Sequence, residues 1–420
     1  GFLLFKYFLL ESALKIIHFI AKQLMKQIIP PVLLKQIQLA INHKRLLKTA
    51  ISLIEVPSPT LSAGLVANRL SEILKTEGFE VERPIADWPD SPAVVTRLES
   101  EKPGRTLQFD GHLDTVHLPF VPPRFENGFL YGSGSSDMKG GIAAFVEALR
   151  VLRETGTLKA GRILLTAHDH HEGPWGDGRQ LRALIDKGYV GDGVLLPEYL
   201  GDRLPLSGRG AGIFEIKISR KEPPVHEVLR SPNLPDVLGT GVKLVSNFSK
   251  WHKELSRNSH PYSGSDSVFI GRLESGEIYN QSPQECLING MRRWITPNSK
   301  EVVEKDFRSR LQVLAESTKT DIEAKFLLQA EAFHIDPDDP LVSTFQAAYT
   351  AVTGNPLKVG GKPFVDDGNV FSSRANIAAL THGPQATGAH TINEKVSLDE
   401  LVRVAQLYVL TAISYCQNHY

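Results

Sequence analysis

The sequence predicts an α/β fold in which a small α+β domain interrupts a larger layered-sheet domain. Three observations carry this expectation. Short apolar runs alternate with helix-periodic segments up to about Leu196; the texture changes between Gly208 and about Leu328; and two further helix-periodic segments, Pro340 to Thr353 and Leu398 to Cys416, follow. Alternating strands and helices are the pattern of a sheet layered with helices. At 420 residues the chain also has room for two or three domains, at roughly 100 to 200 residues each. We therefore expect an apolar N-terminal extension at 1–34, a discontinuous main domain at 35–207 and 329–420, and an inserted domain at 208–328.

In chain order, helical spacing runs through Leu39, Leu46, Leu47, Ile51 and Ile54 and ends at Val56-Pro57-Ser58-Pro59, where proline stops a helix. A second helix is expected from Leu65 to Glu77, closed by Gly78 as a C-terminal cap. Strand-like runs follow at Phe79 to Glu82, Ala93 to Leu98 and Thr106 to Phe109, then a helix at Gly141 to Glu154. A strand at Arg162 to Ala167, a helix at Arg179 to Lys187 and a strand at Gly193 to Leu196 complete this part. In the insert, Ile213 to Ile218 alternates like a half-buried strand. Helix Gly241 to Leu255, strand Cys286 to Ile295, helix Lys300 to Ala315 and strand Asp321 to Leu327 follow it.

Composition narrows the function. Lys plus Arg and Asp plus Glu are both 47, and the chain is 41% hydrophobic and 22% charged, as in an ordinary folded protein. A nucleic-acid partner is not expected, since a phosphate-tracking surface normally leaves an excess of basic residues. Cys286 and Cys416 are the only cysteines, too few for a thiolate metal site, whereas 14 His are available. The segment 1–34 is rich in Phe, Leu and Ile, but Lys6, Glu11 and Lys15 interrupt it before it reaches the roughly 18 to 20 apolar residues of a membrane span. It reads as a packed extension, with a basic amphipathic membrane contact as the alternative. A cytoplasmic location is the expectation that follows from the sparse cysteines and the lack of a secretory pattern.

The residues that bear chemistry fall at strand ends and loops. Phe109-Asp110-Gly111-His112-Leu113-Asp114 ends a strand with His112 and Asp114 on one face, the spacing of a metal ligand and a carboxylate that orients it. Gly132-Ser133-Gly134-Ser135-Ser136-Asp137-Met138-Lys139-Gly140-Gly141 opens a helix; its plain reading makes Asp137 the N-cap, and it lacks the Ser or Thr of a phosphate-binding loop. Thr166-Ala167-His168-Asp169-His170-His171-Glu172-Gly173 concentrates imidazoles and carboxylates after an apolar strand, more than a solvated loop needs. Glu198, and His390 within Gly388-Ala389-His390-Thr391-Ile392-Asn393-Glu394, complete the set.

In this order the motifs resemble the di-zinc hydrolases that include acetylornithine deacetylase, succinyl-diaminopimelate desuccinylase, aminoacylase and glutamate carboxypeptidase, over about Leu39 to the C-terminus. The resemblance implies a catalytic mixed-sheet zinc-hydrolase domain with an inserted lid and dimerisation domain. It also implies cleavage of an amide bond of an N-acyl amino acid or short peptide by a metal-bound hydroxide. Two divalent ions, zinc with cobalt or manganese as alternatives, would be held by His112, Asp137, Glu172, Glu198 and His390, with Asp137 bridging. Asp114 would orient a catalytic group. The family's two adjacent glutamates are replaced by His171-Glu172, so either residue could be the base and the other a ligand. His226 would reach a neighbouring subunit's site and stabilise the oxyanion, which implies a homodimer. Arg292 or Arg293 would read a substrate carboxylate, and Asp367 would line the site in the catalytic domain. Hydrolysis of a carbamoyl or ureido bond, or a binding protein that keeps the fold without catalysis, are the competing readings.

Overall fold

A computed structural model of the chain describes residues 29–173 and 176–417, so the apolar segment 1–28 lies outside the described residues. The chain divides into two compact units. The first contains 29–204, 336–358 and 380–417, and the second contains 205–335 and 359–379.

The first unit is built on a six-stranded sheet in the order Val81–Glu82, Val94–Glu99, Arg162–His168, Thr106–His112, Gly193–Leu196 and Ala379–Thr381. Thr106–His112 runs parallel to both of its neighbours, whereas the pairings at the Val81–Glu82 side are antiparallel. The sheet is therefore mixed. Every residue of Thr106–His112 and of Gly193–Leu196 is buried, as expected of strands covered on both faces. Helix Lys139–Thr155 supplies much of that cover and is buried from Lys139 to Leu152. Phe145 stacks on Phe109 at 4.5 Å between ring centroids, and Tyr408 of helix Leu398–Gln417 lies 4.5 Å from Phe145. A charged network crosses the same helix: the fully buried Glu147 accepts hydrogen bonds from Asn42 N, Arg45 Nε and Arg150 Nη1.

Because the three central strands are parallel, their carboxyl ends open on one edge. His112, His168 and the residues after Leu196 are delivered there together, which is where open α/β sheets bind ligands.

The second unit carries a four-stranded antiparallel sheet in the order Ser267–Ser275, Glu285–Trp294, Gly210–Ser219 and Asp321–Ala330. Helices Val237–Leu255 and Lys300–Thr318 pack on one face around Phe214, Ile216, Phe248, Trp251, Ile288 and Phe307. Sequence reading finds both helices and three of these strands. It misses Ser267–Ser275, an edge strand that keeps much of its surface exposed and so lacks a clean apolar alternation.

Two unit boundaries fall elsewhere than the expected domain bounds. Helix Pro31–Ala40 runs through the 34/35 junction with Ile37 fully buried, so the body of the first unit begins before Lys35. Residues 359–379 belong to the second unit instead of the first, because Val359–Lys362 joins a sheet with Leu204–Gly208 and Phe333–His334. Asn369 strengthens this attachment by donating to the carbonyls of Arg209 and Glu331.

Candidate metal centre

Seven of the expected residues converge in the first unit. His112 is fully buried at its strand end, and its Nδ1 lies 2.9 Å from the carbonyl oxygen of Asp114. That bond places the proton on Nδ1 and turns the lone pair of Nε2 toward Asp137 Oδ1 at 3.3 Å and Glu198 Oε1 at 3.9 Å. Asp137 Oδ2 lies 2.9 Å from His390 Nε2, which is also 3.3 Å from Glu172 Oε1. His171 stacks face to face on His112 at 3.9 Å, with its Nε2 3.6 Å from Glu198 Oε1. Ligand atoms of His112, Asp137 and Glu172 form one compact group, and those of His112, His171 and Glu198 another.

This donor set fits divalent metal. His112 Nε2 and Asp137 Oδ1 are buried and make no hydrogen bond, a costly arrangement unless a further partner binds both. Asp137 is not the helix cap: the N-cap of Lys139–Thr155 is Met138, with no side-chain cap bond. The field of the carboxylates is visible in the imidazoles. Burial opposes a charge on His112, yet Asp137 and Asp114 raise its pKa to about 9. Hydrogen bonding to Asp137 and Glu172 raises that of His390 to about 10. Asp137 is held well below the usual carboxylate range despite its burial, because His112 and His390 face it. A divalent cation satisfies the same field in place of those protons.

The surrounding carboxylates act on the backbone. The side chain of Asp114 stands 3.7 Å from His112 Nδ1, and His112 is oriented by the carbonyl of Asp114 instead. Its carboxylate accepts from His171 N, Glu172 N and Thr60 Oγ1, so Asp114 fixes the loop that presents His171 and Glu172. Glu394 plays the same part for Asp137. It accepts from Gly134 N, Ser136 N, Ser136 Oγ and Asp137 N at 2.7 to 2.9 Å, which shapes the turn ahead of the helix. Next to this turn Lys139 donates to the carbonyl of Val56, and burial lowers its pKa to about 7 against the opposing pull of Glu394 and Asp114. His170, a neighbour of the ligands in sequence, packs edge-on against Trp88 at 4.3 Å and joins neither ligand group.

Sequence reading could not give Glu394 a role, since its partners are backbone amides some 260 residues away. Its only signal is its place three residues after Thr391 in the His390 motif.

The remaining expected residues lie in the second unit. Arg292 is buried against Asp266, with Nη2 3.2 Å from Oδ2, and its guanidinium also lies over Trp251. Arg293 is half-buried, and burial together with the nearby Arg209 lowers its pKa. His226 is exposed, and its Nε2 accepts a hydrogen bond from Asn280 Nδ2 at 3.2 Å. Asp367 begins the short helix Asp367–Val370, whose N-terminus is closed by a reciprocal capping box between Asp366 and Asn369. Asp367 falls in the second unit with residues 359–379, which follow the sheet that they join.

Among the described residues, no helix is long and apolar enough to cross a membrane.

Comparison with known proteins identifies the family. The family model for peptidase family M20/M25/M40 matches residues 109–414. A succinyl-diaminopimelate desuccinylase of Alkalilimnicola ehrlichii is 26% identical over 358 residues, covering 81% of this chain and 90% of that protein. The aminopeptidase PepT of Bacillus cereus shares the fold with a TM-score of 0.75 at 19% identity, over 90% of this chain and 99% of that one. A dinuclear metal-binding peptidase of the M20 family from Bacillus subtilis does so with a TM-score of 0.64 at 15% identity, over 88% and 97%. The chain belongs to peptidase family M20/M25/M40 and is a metal-dependent hydrolase of amide bonds in peptides or N-acyl amino acids.

Proposed function

We propose that this hydrolase holds two zinc ions, one through His112, Asp137 and Glu198 and the other through Asp137, Glu172 and His390. The observation that carries the reading is the position of Asp137, whose two oxygens face imidazoles from opposite ends of the chain. Imidazole and carboxylate donors without thiolate suit zinc, with cobalt and manganese as close competitors. When bound, such ions polarise a substrate carbonyl and lower the pKa of water.

The chain's own groups then divide the work. Glu172 lies with Asp137 and His390 and acts as a ligand, which leaves His171 as the proton carrier that accepts from the attacking water and returns a proton to the leaving amine. Asp114 holds the backbone of both residues in place. Arg293, beside Arg209, takes a substrate carboxylate, since Arg292 is already engaged by Asp266. His226 supplies oxyanion stabilisation across a homodimer. Support for such a dimer comes from exposed apolar side chains of the second unit, Phe269 on the edge strand Ser267–Ser275 and Val242 on helix Val237–Leu255.

The test compares His171→Gln with Glu172→Gln for zinc content and for hydrolysis of N-acyl amino acids and short peptides. His171→Gln is expected to keep two ions and lose at least about 100-fold in kcat, within the usual contribution of a general base. Glu172→Gln is expected to lose an ion. Loss of metal in His171→Gln would instead make His171 a ligand.

A further inference from the structure

Leu61 at φ 74° and His170 at φ 71° are among the non-glycine residues of the first unit that hold left-handed backbone conformations. Such conformations are rare without glycine and persist only where the surroundings impose them. Here one carboxylate reaches both. Asp169 is fully buried; its Oδ1 accepts from Leu61 N at 2.9 Å and from His170 N at 2.6 Å, and its Oδ2 accepts from Ala63 N at 3.0 Å. Its own N–H donates to Gln180 Oε1 at 2.7 Å, and Gln180 Nε2 is anchored on the carbonyl of Ser91 at 2.8 Å. Asp114 makes a second connection between the same two turns, through Thr60 Oγ1 on one side and the N–H groups of His171 and Glu172 on the other. The turn that presents His171 and Glu172 is thus tied to the 60–63 turn by two buried carboxylates, and Asp169 enters through backbone amides.

We propose that Asp169 is a positioning residue of the metal centre: it ligates no ion, and it fixes the 170–172 backbone so that Glu172 faces Asp137 and His390. The inference rests on the ligand sets proposed above. Outer groups that orient metal ligands typically contribute 10- to 100-fold in metal affinity.

The experiment is calorimetric titration of zinc into metal-free protein, with thermal melts of the same samples. Glu172→Gln and Glu198→Gln identify which binding step belongs to which ion. In Asp169→Ala the Glu172-side ion is expected to bind about 10- to 100-fold more weakly, with the Glu198-side ion changed by less than about 3-fold. Asp169→Asn keeps an acceptor for Leu61 and His170 but turns an NH2 toward Ala63 N–H, so it falls between wild type and Ala, and it serves if the Ala variant does not fold. Adding His170→Gly to Asp169→Ala provides a residue that adopts positive φ without penalty, and should recover part of the lost affinity. Equal weakening of both ions in step with the melting temperature would reveal a merely structural role and overturn the inference. So would an unchanged Glu172-side affinity in both Asp169 variants while wild type binds two ions. A wild-type chain that binds one ion overturns the ligand sets themselves, and this inference with them.

Discussion

Removing the titration of His382 should change how the stability of the first unit depends on pH. His382 is buried directly after strand Ala379–Thr381. Its Nε2 lies 3.1 Å from Arg403 Nη1, and the rings of Phe345 and Tyr349 meet it edge-on. Arg403 can only donate, so Nε2 accepts and the ring is neutral. Burial, with the Arg403 charge as a second cause, lowers its pKa from 6.5 to about 3. The sign follows from proton uptake. Below the unfolded pKa the unfolded chain binds a proton that the folded chain refuses, so stability is fully present above about 6.5 and is lost as pH falls toward the folded value. Between about pH 7.5 and about pH 5 the linkage amounts to about 2 kcal/mol. His382→Gln keeps a donor and an acceptor and does not titrate. In urea unfolding, the stability advantage of wild type over this variant should shrink by about 2 kcal/mol across that interval, or about 1 M in the difference between midpoints at an m-value of about 2 kcal/mol/M. Comparing the two proteins at equal metal concentration cancels the pH dependence that they share. A difference that stays constant across the interval would refute the argument. The consequence reaches the site, because His382 N donates to the carbonyl of Leu196, two residues before Glu198.

Three further outcomes are expected. Glu147→Ala leaves Arg150, buried on helix Lys139–Thr155, without one of its carboxylate partners and should cost about 3 kcal/mol in chemical denaturation. In Gly141→Ala the new Cβ would lie 2.6 Å from the carbonyl oxygen of Pro197, pushing the Asp137 helix away from the Glu198 loop; zinc affinity should fall, and stability should drop by about 1 to 3 kcal/mol. Glu394→Gln replaces one acceptor oxygen with a donor facing the Asp137 turn and should weaken zinc binding about 10- to 100-fold, read by competition with a chromogenic chelator.

Much of the proposed centre can be read from the chain because its proposed ligands are chemically conspicuous. His112, Asp137, Glu172, Glu198 and His390 stand after apolar strands or in short loops, where a layered sheet gathers side chains at one edge. The groups that hold them in place leave a weaker trace. Asp169 and Glu394 act by accepting backbone N–H groups from distant turns, and a backbone amide has no sequence signature. Asp114 shows the limit from the other side: its residue type and spacing suggest a carboxylate on His112, but the carbonyl does that work and the carboxylate serves the neighbouring loop. The return of 359–379 to the second unit is equally hidden, since it depends on pairing between short strands far apart in the chain.

The central claim, a two-ion centre that hydrolyses amides, is tested most directly by metal content and rate measured on one sample. Purified chain titrated to saturation with zinc should hold two ions and hydrolyse members of a panel of N-acyl amino acids and short peptides. A chelator should abolish both properties, and zinc should restore both. Hydrolysis that continues after the metal has been removed, or saturation at fewer than two ions, would contradict the account.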